Sequence, residues 1–122
     1  MSYNIIYPFG DTINEGAQIG RGQGIKSKSG RVVLNVTNSG VIELIGDGKV
    51  LWTAQQKAPY ADFIIMQGDG NFVAYSIKEP TWASASNGTG HPYCVVVQDD
   101  GNLVVKAGDR PVWSSQTGGA IA

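Results

Sequence analysis

Cysteine is almost absent from this chain. Cys94 stands alone, so no disulfide can form within the chain and the fold must rest on packing. Charge is sparse as well. The 9 basic and 10 acidic side chains leave a net charge of −1 and form no run or patch of one sign. A nucleic-acid partner held through phosphate contacts needs such a basic patch and is not expected. No apolar run approaches the ~20 residues that cross a bilayer, so no membrane insertion is expected. The opening Met1-Ser2-Tyr3-Asn4 lacks the basic and apolar regions of a secretory signal. A cytoplasmic protein, a trimmed mature form, or one released by a non-classical route is the corresponding expectation. Also missing is any long stretch with apolar residues at i, i+3 and i+4, which excludes amphipathic helices as the main element.

Glycine is abundant. Its 17 residues are spread between short runs rich in Val, Ile and Leu, in a chain that is 42 % hydrophobic. Short strands joined by frequent tight turns fit this composition, in a single domain of 122 residues with material enough for a core.

The three tryptophans reveal a repeat. Trp52, Trp82 and Trp113 lie 30 and 31 residues apart, within Val50-Leu51-Trp52-Thr53-Ala54, Pro80-Thr81-Trp82-Ala83-Ser84 and Pro111-Val112-Trp113-Ser114-Ser115. Fifteen residues before the last two stand Gln67 and Gln98. From there the text nearly repeats: Gln67-Gly68-Asp69-Gly70-Asn71-Phe72-Val73-Ala74-Tyr75 against Gln98-Asp99-Asp100-Gly101-Asn102-Leu103-Val104-Val105-Lys106. The same offset from Trp52 reads Thr37-Asn38-Ser39-Gly40-Val41-Ile42-Glu43-Leu44-Ile45, which keeps the apolar outline and loses the polar one. Three units, at about residues 32–59, 60–90 and 91–118, follow a glycine-rich lead that must supply strands of its own. One unit cannot bury its apolar face alone. Three can, by turning those faces to a common axis, with the tryptophans at or near it as core.

Within a unit, Asp-Gly between two apolar runs signals a hairpin, because glycine accepts the positive φ of a tight turn. A straight strand from Gln67 to Tyr75 would span roughly 26 Å at about 3.3 Å per residue. The turn instead folds Gln67 back beside Asn71, and the strand period of two puts Asn71, Val73 and Tyr75 on one face. The product is a shallow site with a carboxylate, two amides, an apolar wall and a phenol. Hydroxyl groups both donate and accept, so this set suits a sugar, with the strongest bonds going to ionised Asp. Other readings are a turn signature without ligand, a calcium loop, and a catalytic pair of His91 with Cys94. The calcium reading lacks the acidic ligands and flanking helices of an EF-hand. The catalytic reading lacks a third group to orient a base.

The nine-residue pattern, its repetition and its distance from tryptophan resemble the monocot mannose-binding (bulb-type) lectins, whose signature is Gln-x-Asp-x-Asn-x-Val-x-Tyr. Asn4-Ile5-Ile6-Tyr7, Gly10-Asp11-Thr12-Ile13 and Gly16 resemble the start of those proteins. The resemblance implies an all-β fold of the β-prism II type, three antiparallel sheets with pseudo-threefold symmetry. It also implies binding of α-mannose or mannose-containing glycans and glycoproteins, with no metal, cofactor or catalysis. In that pattern Asp69 and Asn71 would hold the 2-hydroxyl, Gln67 the 3-hydroxyl and Tyr75 the 4-hydroxyl, with Val73 against the ring. Gln98, Asp100, Asn102 and Val104 match too, but Lys106 replaces tyrosine and makes an altered site. Thr37, Ser39, Val41, Glu43 and Ile45 depart throughout, so no mannose site is expected there. Family members often dimerise by exchanging a C-terminal strand. Ser114-Ser115-Gln116-Thr117-Gly118-Gly119 resembles that segment, so a homodimer is expected. The alternative is a prism that has lost its sugar and serves as a structural or protein-interaction module.

Overall fold

A computed structural model describes residues 5–77 and 79–121. Met1–Asn4, Lys78 and Ala122 lie outside it, and with them the reading of the first four residues, Asn4 of the family-like opening and Lys78 of the turn at Lys78-Glu79-Pro80. The described residues form twelve strands and no helix: β1 (Thr12–Asn14), β2 (Gln18–Gly20), β3 (Gln23–Lys26), β4 (Val32–Val36), β5 (Ile42–Gly46), β6 (Lys49–Thr53), β7 (Phe63–Met66), β8 (Phe72–Tyr75), β9 (Pro80–Ala83), β10 (Tyr93–Val97), β11 (Leu103–Ala107) and β12 (Arg110–Ser114). Among them, no helix is long and apolar enough to cross a membrane.

The strands make three four-stranded antiparallel sheets, ordered β3-β4-β5-β6, β2-β7-β8-β9 and β1-β10-β11-β12. Three strands of each sheet come from one repeat. The fourth comes from the lead, which gives one short strand to every sheet. Each lead strand also buries one isoleucine completely: Ile13, Ile19 and Ile25 are all 0 % exposed. The repeats add alternate residues to the same core, as the strand period requires. Val32, Leu34, Ile42 and Leu44 come from one sheet, Ile64, Met66, Phe72 and Ala74 from the next, and Val95, Val97, Leu103 and Val105 from the third.

The tryptophans meet one another. Their ring centroids lie 5.4, 5.5 and 5.3 Å apart, with interplanar angles of 71, 68 and 70°. This edge-to-face triangle sets the positive ring edges against the negative faces. The three near-equal sides express the pseudo-threefold symmetry of the repeats. The rings are half-buried and pack against the core.

Candidate functional site

In the second repeat the turn places the polar side chains. Gly70 has φ 94°, and the backbone closes with Gly70 N–H donating to Gln67 O at 3.1 Å and Gln67 N–H to Asn71 O at 3.0 Å. Gln67 thus lies beside Asn71. Phe72 and Ala74 of β8 point into the core, so Val73 and Tyr75 take the outer face with Asn71. Opposite Ala74 and Tyr75 the register slips, with Ala74 facing Trp82 and Tyr75 facing Pro80. A bulge of this kind re-aims the neighbouring side chain. It recurs at the corresponding point of the other two sheets.

Four of the five residues form a connected set. Gln67 Nε2 donates to Asp69 Oδ1 at 3.1 Å and lies 3.2 Å from Oδ2. The Tyr75 hydroxyl donates to Gln67 Oε1. The Tyr75 ring stacks on Phe63 at 5.5 Å between centroids. Asn71 N–H donates to Asp69 Oδ1 at 2.9 Å. That bond first, and the Gln67 amide second, hold the Asp69 carboxyl below the usual carboxylate range, so it is ionised at neutral pH. Val73, 3 % exposed, closes the floor.

Asn71 is oriented from below. Its Oδ1 accepts from Ala85 N–H at 2.8 Å and from the Ser84 hydroxyl at 3.3 Å, which turns its Nδ2 donors outward. Ser84 Oγ also accepts from Phe72 N–H at 3.0 Å and lies 2.7 Å from Ser86 Oγ, which in turn lies 2.8 Å from Gly70 O. These serines are supporting residues that motif reading misses. Their signal is in the text, as Trp82-x-Ser84-x-Ser86 and Trp113-x-Ser115-x-Thr117.

The third repeat reproduces this scaffold. Asn102 Oδ1 accepts from Ser115 Oγ at 3.1 Å and Thr117 N–H at 3.3 Å, and Asp100 Oδ1 accepts from Asn102 N–H at 3.1 Å. Val104 is 4 % exposed. The bracing differs at the far end. Lys106 faces Cys94 across the ladder, where Tyr75 faces Phe63. No phenol reaches Gln98, so the Gln67–Tyr75 link has no counterpart. In the first repeat Thr37 Oγ1 pairs with Ser39 Oγ at 3.1 Å and accepts from Val41 N–H at 3.0 Å. Those hydroxyls satisfy one another, and Val41 stands where an outward amide would be.

His91 and Cys94 do not form a pair. His91 Nδ1 meets Glu15 Oε1 at 2.9 Å, and burial pushes the Cys94 thiol up, away from thiolate character. Among the described residues no three His, Cys, Asp or Glu side chains come together as a metal site would need. The second repeat therefore offers an ionised acceptor, outward amide donors and a phenol over a small apolar floor, a set that can bind a hydroxyl from both sides.

No protein-family model matches the chain, and no curated protein matches it. Solved structures do. The Japanese Marasmius oreades lectin is 44 % identical, with a TM-score of 0.87 over 93 % of this chain and 97 % of its own. A domain-swapped lectin dimer from Mycobacterium smegmatis is 33 % identical, with a TM-score of 0.53 over 86 % of this chain and 98 % of its own. The mannose-specific agglutinin from snowdrop (Galanthus nivalis) bulbs, complexed with methyl α-D-mannoside, is 26 % identical, with a TM-score of 0.71 over 82 % of this chain and 92 % of its own.

Proposed function

Since the chain belongs to the monocot mannose-binding (bulb-type) lectin family, and is thus a carbohydrate-binding lectin, we propose that it binds α-mannose on Gln67, Asp69, Asn71, Val73 and Tyr75 without a metal. The observation that carries this is the continuous chain of bonds from Tyr75 through Gln67 to Asp69, with Asn71 held from below. Side chains already held in one arrangement have little freedom left to lose on binding. A sugar whose hydroxyls point elsewhere leaves the carboxylate and amides unpaired, which rejects epimers. Gln98, Asp100, Asn102, Val104 and Lys106 form a second, less braced site of lower affinity. Each shallow site is weak, near the millimolar level that corresponds to about −4 kcal/mol. Useful binding to a mannose-rich glycoprotein then comes from several sites together.

The test is a titration of methyl α-mannoside into isotope-labelled protein, with the galactoside as control and a chelator present. Amide shifts should saturate at residues 67–75 at lower concentration than at 98–106. Asp69→Asn keeps the volume and removes the charged acceptor, which should weaken the first site by about tenfold or more and leave the other unchanged. Unchanged binding in this variant would place the sugar elsewhere.

A homodimer formed by exchange of the C-terminal strand is the assembly we propose, supported by the swapped dimer among the relatives. Within the single chain β12 pairs with β11, and Ile121, 8 % exposed, packs into the chain's own core. Exchange would give these same contacts to a partner. Light scattering after size exclusion should return twice the monomer mass of 12.9 kDa; a monomer at high concentration would refute it.

A further inference from the structure

The far end of the third repeat's site differs in charge from its counterpart. In the second repeat that end is closed by two rings, Tyr75 of β8 stacked on Phe63 of β7. In the third, the same row across the ladder reads Lys106 on β11, Cys94 on β10 and Asn14 on β1. An ammonium, a thiol and an amide stand where the rings would be. Lys106 is half-buried, as suits a lysine whose stem covers apolar surface and whose head stays in water.

No carboxylate among the described residues pairs with that head, and Lys106 makes no side-chain hydrogen bond there. The group that faces it does not cancel its charge. Burial pushes the Cys94 thiol up by more than Lys106 pulls it down, so the thiol stays neutral at neutral pH. Two further carboxylates act on the same thiol, Asp109 in the turn after β11 and Asp11, which lies 3.4 Å from Lys28. Asp99 is taken by Ser29. The Gln98 amide is in no side-chain bond among the described residues. Along the alternate positions 100, 102, 104 and 106 the site therefore runs from a carboxylate, through an amide and a small apolar floor, to an unpaired ammonium.

We propose that Lys106 makes this second site selective for a mannose residue that carries a phosphate ester at C-4 or the adjoining C-6. The proposal rests on the mannose reading of the motif, in which the residue at this position takes the 4-hydroxyl. Tyrosine offers that hydroxyl one neutral donor. An ammonium offers three donors and a full charge, and its bond to a phosphate oxygen is charge-assisted. Its flexible stem lets it follow a substituent that itself rotates. Asp100 at the opposite end repels an anion, so the ligand enters in one orientation, phosphate towards Lys106. The chain then reads two sugars, neutral mannose on Gln67–Tyr75 and acidic mannose on Gln98–Lys106.

The experiment compares methyl α-mannoside with its 4-phosphate and its 6-phosphate on the labelled full chain, with a chelator present and inorganic phosphate as control. At low salt at least one phosphate ester should bind residues 98–106 about fivefold more tightly than the neutral glycoside, the upper worth of an exposed ion pair. No gain is expected at 67–75. In ~1 M salt, where charges are screened beyond about 3 Å, the gain should shrink towards one. Lys106→Gln should bring the ratio of the two affinities at 98–106 to one, and Lys106→Arg should keep it above one. Equal binding of all three glycosides at 98–106, a gain that survives Lys106→Gln, an equal gain at both sites, or the same affinity for inorganic phosphate alone overturns the selectivity. Failure of methyl α-mannoside to bind the folded wild type anywhere overturns the mannose reading itself.

Discussion

Ser84 lies beneath the site, and Asn71 rests on it. Its hydroxyl accepts from the buried Phe72 N–H and donates to Asn71 Oδ1. Ser84→Ala removes both bonds and leaves a buried backbone donor unpaired, at a cost of about 1–3 kcal/mol. The expected result is a lower midpoint in urea unfolding together with weaker mannoside binding at residues 67–75. A stability loss with unchanged affinity would show that Ala85 N–H alone orients the amide. Ser115 holds the same place under Asn102. This support is readable in the text as a serine two residues after each of the last two tryptophans, with Ala54 in the first repeat, where the polar motif has gone. Its purpose is not readable. The bonds join residues on different strands, and sequence spacing carries no information on which donor meets which acceptor.

Among the elements, the turn between β7 and β8 does the most to shape the site. Asp-Gly between apolar runs identifies the hairpin in advance, because few residues other than glycine adopt φ near 94° comfortably. The crowding over that glycine is a tertiary fact with no trace in the local sequence. In Gly70→Ala the added methyl would collide with the Tyr93 ring and strain the backbone at once. A destabilisation of about 1–3 kcal/mol is expected. Thermal melting would measure it, and a melting temperature equal to wild type would mean that Tyr93 moves aside freely. The lead is expected to supply strands and does, but the bounds of β1, β2 and β3 are not legible in the sequence, for a different reason. With three or four residues each, they are too brief to display a period of two, although Ile13, Ile19 and Ile25 recur every six residues.

At the scale of the molecule, the sheets are tied together at their turns. Ser29, between β3 and β4, donates both its N–H at 2.9 Å and its hydroxyl at 2.6 Å to Asp99, between β10 and β11. These bonds lower the Asp99 carboxyl to about 2. The folded state therefore favours the ionised form. Its contribution is complete above the ordinary aspartate value of about 3.9 and fades as pH falls towards about 2. Asp99→Asn should melt below wild type at pH 6, with the difference closing by pH 2. A constant difference across that range would mean that charge plays no part. The same inter-sheet design governs the order in which the fold can be completed. Glu15 accepts a bond from the backbone of Tyr93, 78 residues later in the chain, and β1 has its ladder partner in β10. During synthesis β1 waits until β10, some eighty residues later, has been made before it can pair. Three repeats in the text thus do not amount to three folding steps, and a chain cut before residue 93 has no smaller prism to fall back on.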